Sequence, residues 1–240
     1  ALEELKEISE HNIVKRTLIG QGYYGTITPP VILRNVFENP SWYTSYTPYQ
    51  AEISQGRLEA LFNYQTLITE LTGLPVANAS LLDEGTAAAE AMLFAHSQSK
   101  KKDFIVDNKI FVQTLEVLQT RARPLDINIV KIDLDEVVDL ESLEKAFGVL
   151  IQYPNNHGAL KCHDGFLRCA EAYKCMKIAI VDPLCQVLMK PVGEMGFDVA
   201  VGSMQRFGVP MGFGGPHAAF FATTDKHKRK IPGRIVGQSK

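Results

Sequence analysis

The chain has 240 residues, enough for one large domain, or one domain with a small appendage, around a sizeable core. Its 45% hydrophobic and 22% charged residues are those of a soluble globular protein, and a formal net charge of −2 gives no electrostatic basis for a nucleic-acid partner. No stretch approaches the roughly 18 uncharged apolar residues of a membrane span, and "ALEELKEISEHN" carries no signal-peptide pattern, so an intracellular chain without a membrane partner is expected.

Residues 1–55 read as an arm or a set of surface loops, because "GQGYYGTITPP" and "NPSWYTSYTPYQ" place Gly, Pro, Tyr and Thr between short apolar pieces. The chain starts without Met inside a helical pattern and ends on "GRIVGQSK" with no capping logic, which reads as a piece of a longer polypeptide. From residue 56 to 240 one α/β domain is expected. "RLEALFNYQTLITELTG" spaces Leu58, Leu61, Ile68 and Leu71 as a helix that stops at Gly73. "LPVANASLLDEGTAAAEAM" then predicts a short extended piece, a turn, and an Ala-rich helix from about Thr86, capped by Asp83 or Ser80.

Beyond it the period alternates. "DFIVD", "INIVKI", "GVLIQYP", "KIAIVD" and "FDVAVGS" are apolar runs of strand length, separated by helical patterns at "TLEVLQTRAR", "LESLEKAF" and "DGFLRCAEAYKCM". Strand, helix, strand alternation implies right-handed crossovers and a mainly parallel sheet with helices on both faces. The run "KHKRK" lacks interleaved aromatics and reads as a solvated helix face rather than a phosphate-binding patch. Cys162, Cys169, Cys175 and Cys185 show no Cys-x-x-Cys spacing and read as reduced thiols; Cys162 beside His163 is too little for a metal site.

In a sheet of this kind ligands bind at the carboxyl ends of the strands. Gly85 and Thr86 open a helix there, where free N–H groups and the helix dipole suit a phosphate, although simple capping explains the same residues. Asp182 closes a strand; it is placed to pair with a protonated heterocycle nitrogen, and an Asp before Pro is equally an ordinary turn former. After the next strand, "GSMQRFGVPMGFGG" stands where pyridoxal-phosphate enzymes of this architecture carry an imine-forming lysine. Gln205 and Arg206 cannot fill that role, since an amide does not condense with an aldehyde and a guanidinium stays protonated. "YTSYTPYQAEISQG" is the densest polar and aromatic segment, readable as apolar cover or as an arm over an active site.

These stretches in this order, above all "YTPYQAEISQGRLEALFNYQT" with "GSMQRFGVPMGFGGPHAAFF" and "PGRIVG", resemble the amino-terminal half of the P-protein family of the glycine cleavage system, glycine dehydrogenase (decarboxylating). The resemblance runs along essentially the whole chain, with residues 97–180 the least diagnostic. It implies a fold type I aminotransferase-like large domain in one of two tandem, diverged copies, fused or as separate subunits. It further implies pyridoxal 5'-phosphate chemistry on glycine, with the aminomethyl group passed to the lipoyl arm of H-protein.

The Schiff-base lysine of the family belongs to the second copy. Laid on that copy's His-Lys-Thr-Phe motif, Met204, Gln205, Arg206 and Phe207 take the same places, with Gln205 at the lysine. By the same resemblance Asp182 is the pyridinium-pairing aspartate, and Gly85 and Thr86 form the phosphate turn, all as vestiges. Tyr46, Thr47, Tyr49 and Gln50, and after them Tyr23 and Tyr24, are the residues this copy is expected to lend to a working site in its partner half. The family pattern has more sequence before and after this chain, including a smaller carboxyl-terminal domain. A bacterial cytoplasm, or a mitochondrial matrix in a eukaryote, is the expected compartment. The alternative is a non-catalytic scaffolding or regulatory domain of the same fold.

Overall fold

The computed structural model describes residues 1–43, 55–136, 139–212 and 214–237. The amino-terminal region holds helix α1 (Leu2–Glu10), the short α2 (Pro30–Ile32), a π turn over Leu33–Phe37, and α3 (Pro40–Tyr43). It is thus less irregular than its Gly and Pro content suggests. No residue of α1 is buried, and Leu2, Leu5 and Ile8 share one exposed helix face.

The remaining elements are α4 (Gln55–Thr72), β1 (Val76–Ala77), α5 (Glu84–His96), β2 (Asp103–Asp107), α6 (Val112–Ala122) and β3 (Asn128–Ile132). Then follow α7 (Glu141–Lys145), β4 (Ala146–Tyr153), α8 (Asp164–Ala172), β5 (Met176–Val181), α9 (Pro183–Leu188), β6 (Val199–Ser203) and β7 (Ala219–Thr223). Their seven strands form one sheet in the order β1-β7-β6-β5-β4-β2-β3. From β3 to β6 all pairings are parallel, and β7 runs antiparallel to both β6 and β1. The five apolar runs predicted as strands are all strands of this sheet. The apolar run after the Gly-rich turn is a further, reversed strand, β7.

Both faces of the sheet are covered, and the two-residue period of the strands divides the core accordingly. Ile178, Ile180, Val201 and Phe221 pack toward α5 and α6, while Ala179, Val181, Ala200 and Phe220 pack on the opposite face with Ile68 of α4. β4 is buried at all eight of its residues, as expected for a strand with parallel neighbours on each side. Helix α5 buries Ala87, Ala88, Ala89, Ala91 and Ala95, whose small side chains let the helix lie close on the sheet.

Boundaries follow local chemistry. α4 ends at Gly73, whose φ of +67° lies in the left-handed region that glycine tolerates. α5 begins two residues before Thr86, because Asp83 rather than Ser80 is its cap. Residues Ala146 and Phe147 of the predicted helix "LESLEKAF" belong to β4 instead, drawn in by pairing with β2. "KHKRK" is not a helix face: a 3₁₀ turn spans Asp225–His227, and His227 is buried edge-on against Phe94.

Candidate functional site

The carboxyl ends of β4, β5 and β6 bring Gln152, Asp182 and Ser203 to the wall of one small cavity, with Glu84, Tyr24 and Arg206. Asp182 stands one residue beyond β5 and caps α9, accepting the Leu184 N–H at 2.9 Å. Its other carboxylate oxygen takes the Nε–H of Arg206 at 3.2 Å. The Arg206 guanidinium in turn lies 4.3 Å from the centre of the Tyr24 ring. A carboxylate, a guanidinium and an aromatic face therefore stack in a closed series. Burial, followed by the Asp182 charge, pushes the Tyr24 phenol above its ordinary range, so it stays a neutral hydroxyl.

The helix start beside it is equally self-contained. Asp83 accepts the Thr86 N–H at 2.8 Å and the Thr86 hydroxyl at 2.7 Å, while Thr86 accepts the Asp83 N–H at 3.2 Å, a reciprocal capping box. Gly85 has a packing reason: a Cβ there would come within 3.2 Å of Val117 on α6. Asp83 and Glu84 place two carboxyl groups where the predicted phosphate would bind. Burial first, then Asp182 and Asp83, push the Glu84 carboxyl up to about 7.

The raised value carries a sign. Between about 4.5 and 7 folded Glu84 holds a proton that the unfolded chain has released, so its contribution to stability falls as pH rises through that window. Glu84→Gln removes this loss. Urea unfolding should show the variant unchanged at acid pH and more stable by about 3 kcal/mol above the window.

Gln205 lies in the 3₁₀ turn Met204–Phe207 after β6, and its side chain is buried. Its Nε2 donates to the Pro216 carbonyl at 3.1 Å, tying the turn to the return of the Gly-rich loop, and it lines neither of the two cavities near Asp182. The cavity holding Asp182 and Arg206 measures about 20 Å³. That is close to one water. Its neighbour, which shares Gly22, Glu84 and Ser203 and adds Tyr23 and His217, measures about 120 Å³. Small-molecule sites occupy about 300–1,000 Å³. Among the described residues the site offers no lysine amine, no free carboxylate, no open helix start and too little space, so pyridoxal phosphate does not fit it.

The structure thus brings together Asp182, Tyr24, Arg206 and Glu84, sets Tyr23 edge-on to His217 at 6.1 Å, and leaves Gln205 facing the loop. Tyr46, Thr47, Tyr49 and Gln50 lie outside the described residues. The loop carrying Tyr23 and Tyr24 is held over the strand ends by Gln21, whose Nε2 donates to the Asn156 carbonyl at 3.0 Å and whose carbonyl accepts from Gln113 at 2.7 Å. Sequence reasoning gave no role to Glu84 or to the Asp182–Arg206 pair. The adjacent acids in "LLDEGT" were a visible signal against an anion at that helix start.

A mainly parallel, helix-covered sheet with one reversed strand, bearing such a site at its carboxyl edge, is the large domain of fold type I pyridoxal-phosphate-dependent enzymes. At the level of fold alone it superposes on cystathionine gamma-lyase from Lactobacillus plantarum with a TM-score of 0.51 and 16% identity, over 68% of this chain and 42% of that one. A crystal structure of glycine decarboxylase (P-protein) of the glycine cleavage system, in inhibitor-bound form, matches with a TM-score of 0.92 and 36% identity, over 99% of this chain and 55% of that chain. A glycine dehydrogenase (decarboxylating) from Prochlorococcus marinus is 59% identical across the whole chain. The model of the glycine cleavage system P-protein family matches residues 1–240, and the chain belongs to that family. It spans about a quarter of the length of the curated relatives, 25% in the case of the Prochlorococcus protein.

Proposed function

We propose that this chain is the lysine-less, amino-terminal copy of the fold type I unit of a glycine decarboxylase. The complete protein decarboxylates glycine and transfers the aminomethyl group to the lipoyl arm of H-protein. Pyridoxal 5'-phosphate is bound covalently by the other half, a carboxyl-terminal half or second subunit with which this copy pairs as a dimer of halves. The compartment that goes with this reading is a bacterial cytoplasm, supported by the similarity to relatives in Prochlorococcus marinus.

The observation that carries the proposal is the filled site: Asp182 is held by Arg206, and the carboxamide of Gln205, the residue that the motif aligns with the lysine, is bonded to Pro216. This copy spends its site residues on its own fold, so its contribution to catalysis is structural and through segments presented to the partner. Tyr46, Thr47, Tyr49 and Gln50 are assigned to that presented segment, with Tyr23 and Tyr24 second. Glycine has almost no apolar surface, so its selection rests on placed polar groups.

The test is the double replacement Tyr46→Phe/Tyr49→Phe in the complete protein, assayed for glycine decarboxylation with lipoylated H-protein. Turnover should fall by about tenfold or more with assembly intact. Wild-type turnover in the assembled variant would favour the scaffolding role instead.

A further inference from the structure

At the opposite edge of the sheet, where β4 and β5 begin, a cavity of about 610 Å³ opens between the ends of α5 and α8 and the turn after β7. Its walls hold five lysines and two carboxylates, a net of three positive charges with His227 neutral, in a chain whose overall charge is −2. Charge of one sign gathered in a concave, partly apolar site focuses the field inside it. Phe147 and Met176 supply apolar lining beside the lysines.

The partners of these lysines decide what the cavity attracts. The ammonium of Lys177, on a side chain only 7% exposed, donates its one hydrogen bond among the described residues to Glu171, whose own side chain is 72% exposed to water. An ammonium has three donors, so a buried one with a single, solvated counter-charge retains capacity for an anion. Lys101 is spent on the carbonyls of Tyr173 and Leu143. Lys174, Lys226 and Lys230 have no ion-pair partner among the described residues, whereas neighbouring Lys228 is paired with Asp225. Asp198 uses a carboxylate oxygen to accept the Lys177 N–H. The positive surroundings also act on His227, which burial and then Lys226 hold below its ordinary value.

We propose that this cavity binds a small phosphorylated anion of diphosphate size, with Lys177, Lys226 and Lys230 as its principal contacts. The ligand is a free diphosphate or the diphosphate of a nucleotide, and the volume accommodates either. This site lies across the sheet from Asp182 and is independent of the proposed decarboxylase reading.

Isothermal titration calorimetry of the full-length protein, with its cofactor bound, tests this using inorganic pyrophosphate and ADP in parallel at low ionic strength. The expected result is saturable binding of at least one of them that weakens with salt, falls by about tenfold or more in Lys226→Gln/Lys230→Gln, and is retained in Lys228→Gln. Tighter binding of ADP than of pyrophosphate would assign the nucleotide; equal binding would assign the free diphosphate. Binding that survives the double replacement, saturable binding of neither anion, or selective binding of a polyglutamate peptide in their place would overturn the proposal. Lys177→Met, which removes the buried ammonium while leaving both surface lysines, should weaken binding too. Unfolding of each variant measured alongside separates loss of the site from loss of the fold.

Discussion

Asp182→Ala should lower the stability of the chain by about 3 kcal/mol in urea unfolding followed by circular dichroism. The replacement acts twice. It strips the side-chain cap from α9, and it leaves the Arg206 guanidinium without its carboxylate at a position where that side chain is only 23% exposed. Cap removal costs about 1 kcal/mol, and stranding a partly buried charge accounts for the rest. Adding Arg206→Met should recover about half the loss, because the uncompensated charge goes while apolar contact with Tyr24 remains. Additive losses in the double variant would show that the pair does not hold the strand ends together. The recovery would mean that the site residues of this copy work for its own fold.

Gly202→Ala should be at least as damaging, at about 4 kcal/mol. A Cβ on Gly202 would lie 2.1 Å from the Val181 carbonyl oxygen and 2.8 Å from the Phe220 ring. Neither is the far end of a flexible chain: Val181 belongs to the backbone of β5, and Phe220 is fully buried in β7. Room for the methyl group requires β6 to move away from its neighbours, carrying Ser203 and the following turn with it. Near-wild-type stability of this variant would contradict the close approach of β5 and β6 that sets the strand ends at the site.

The alternating core was legible in the sequence because buried parallel strands leave short apolar runs between helical periods. What the pattern could not supply was direction. β7 is as apolar as its neighbours, buried at all five residues, and the linker over residues 204–218 is long enough for either a crossover or a reversal. Helix α1 lies in the helical pattern with which the chain begins, and it buries none of its residues.

The site was legible in part. Asp182 and Gln205 were placed at adjacent strand ends by the run lengths alone, and the missing amine followed from residue chemistry. The Asp182–Arg206 bond joins residues 24 apart and depends on side-chain direction after two different strands, which no spacing rule encodes. Glu84 is hidden by the motif around it, since Gly85 and Thr86 have the composition of a phosphate turn while the adjacent carboxyl group crowds the same space.

One measurement tests the filled site most directly: incubation of the full-length protein with pyridoxal phosphate, borohydride reduction and peptide mapping by mass spectrometry. The filled site predicts no pyridoxyl adduct on any lysine of residues 1–240, with the adduct in the remainder of the protein or in a companion subunit. A stoichiometric adduct within this chain, on Lys190 or Lys226 for example, would contradict it.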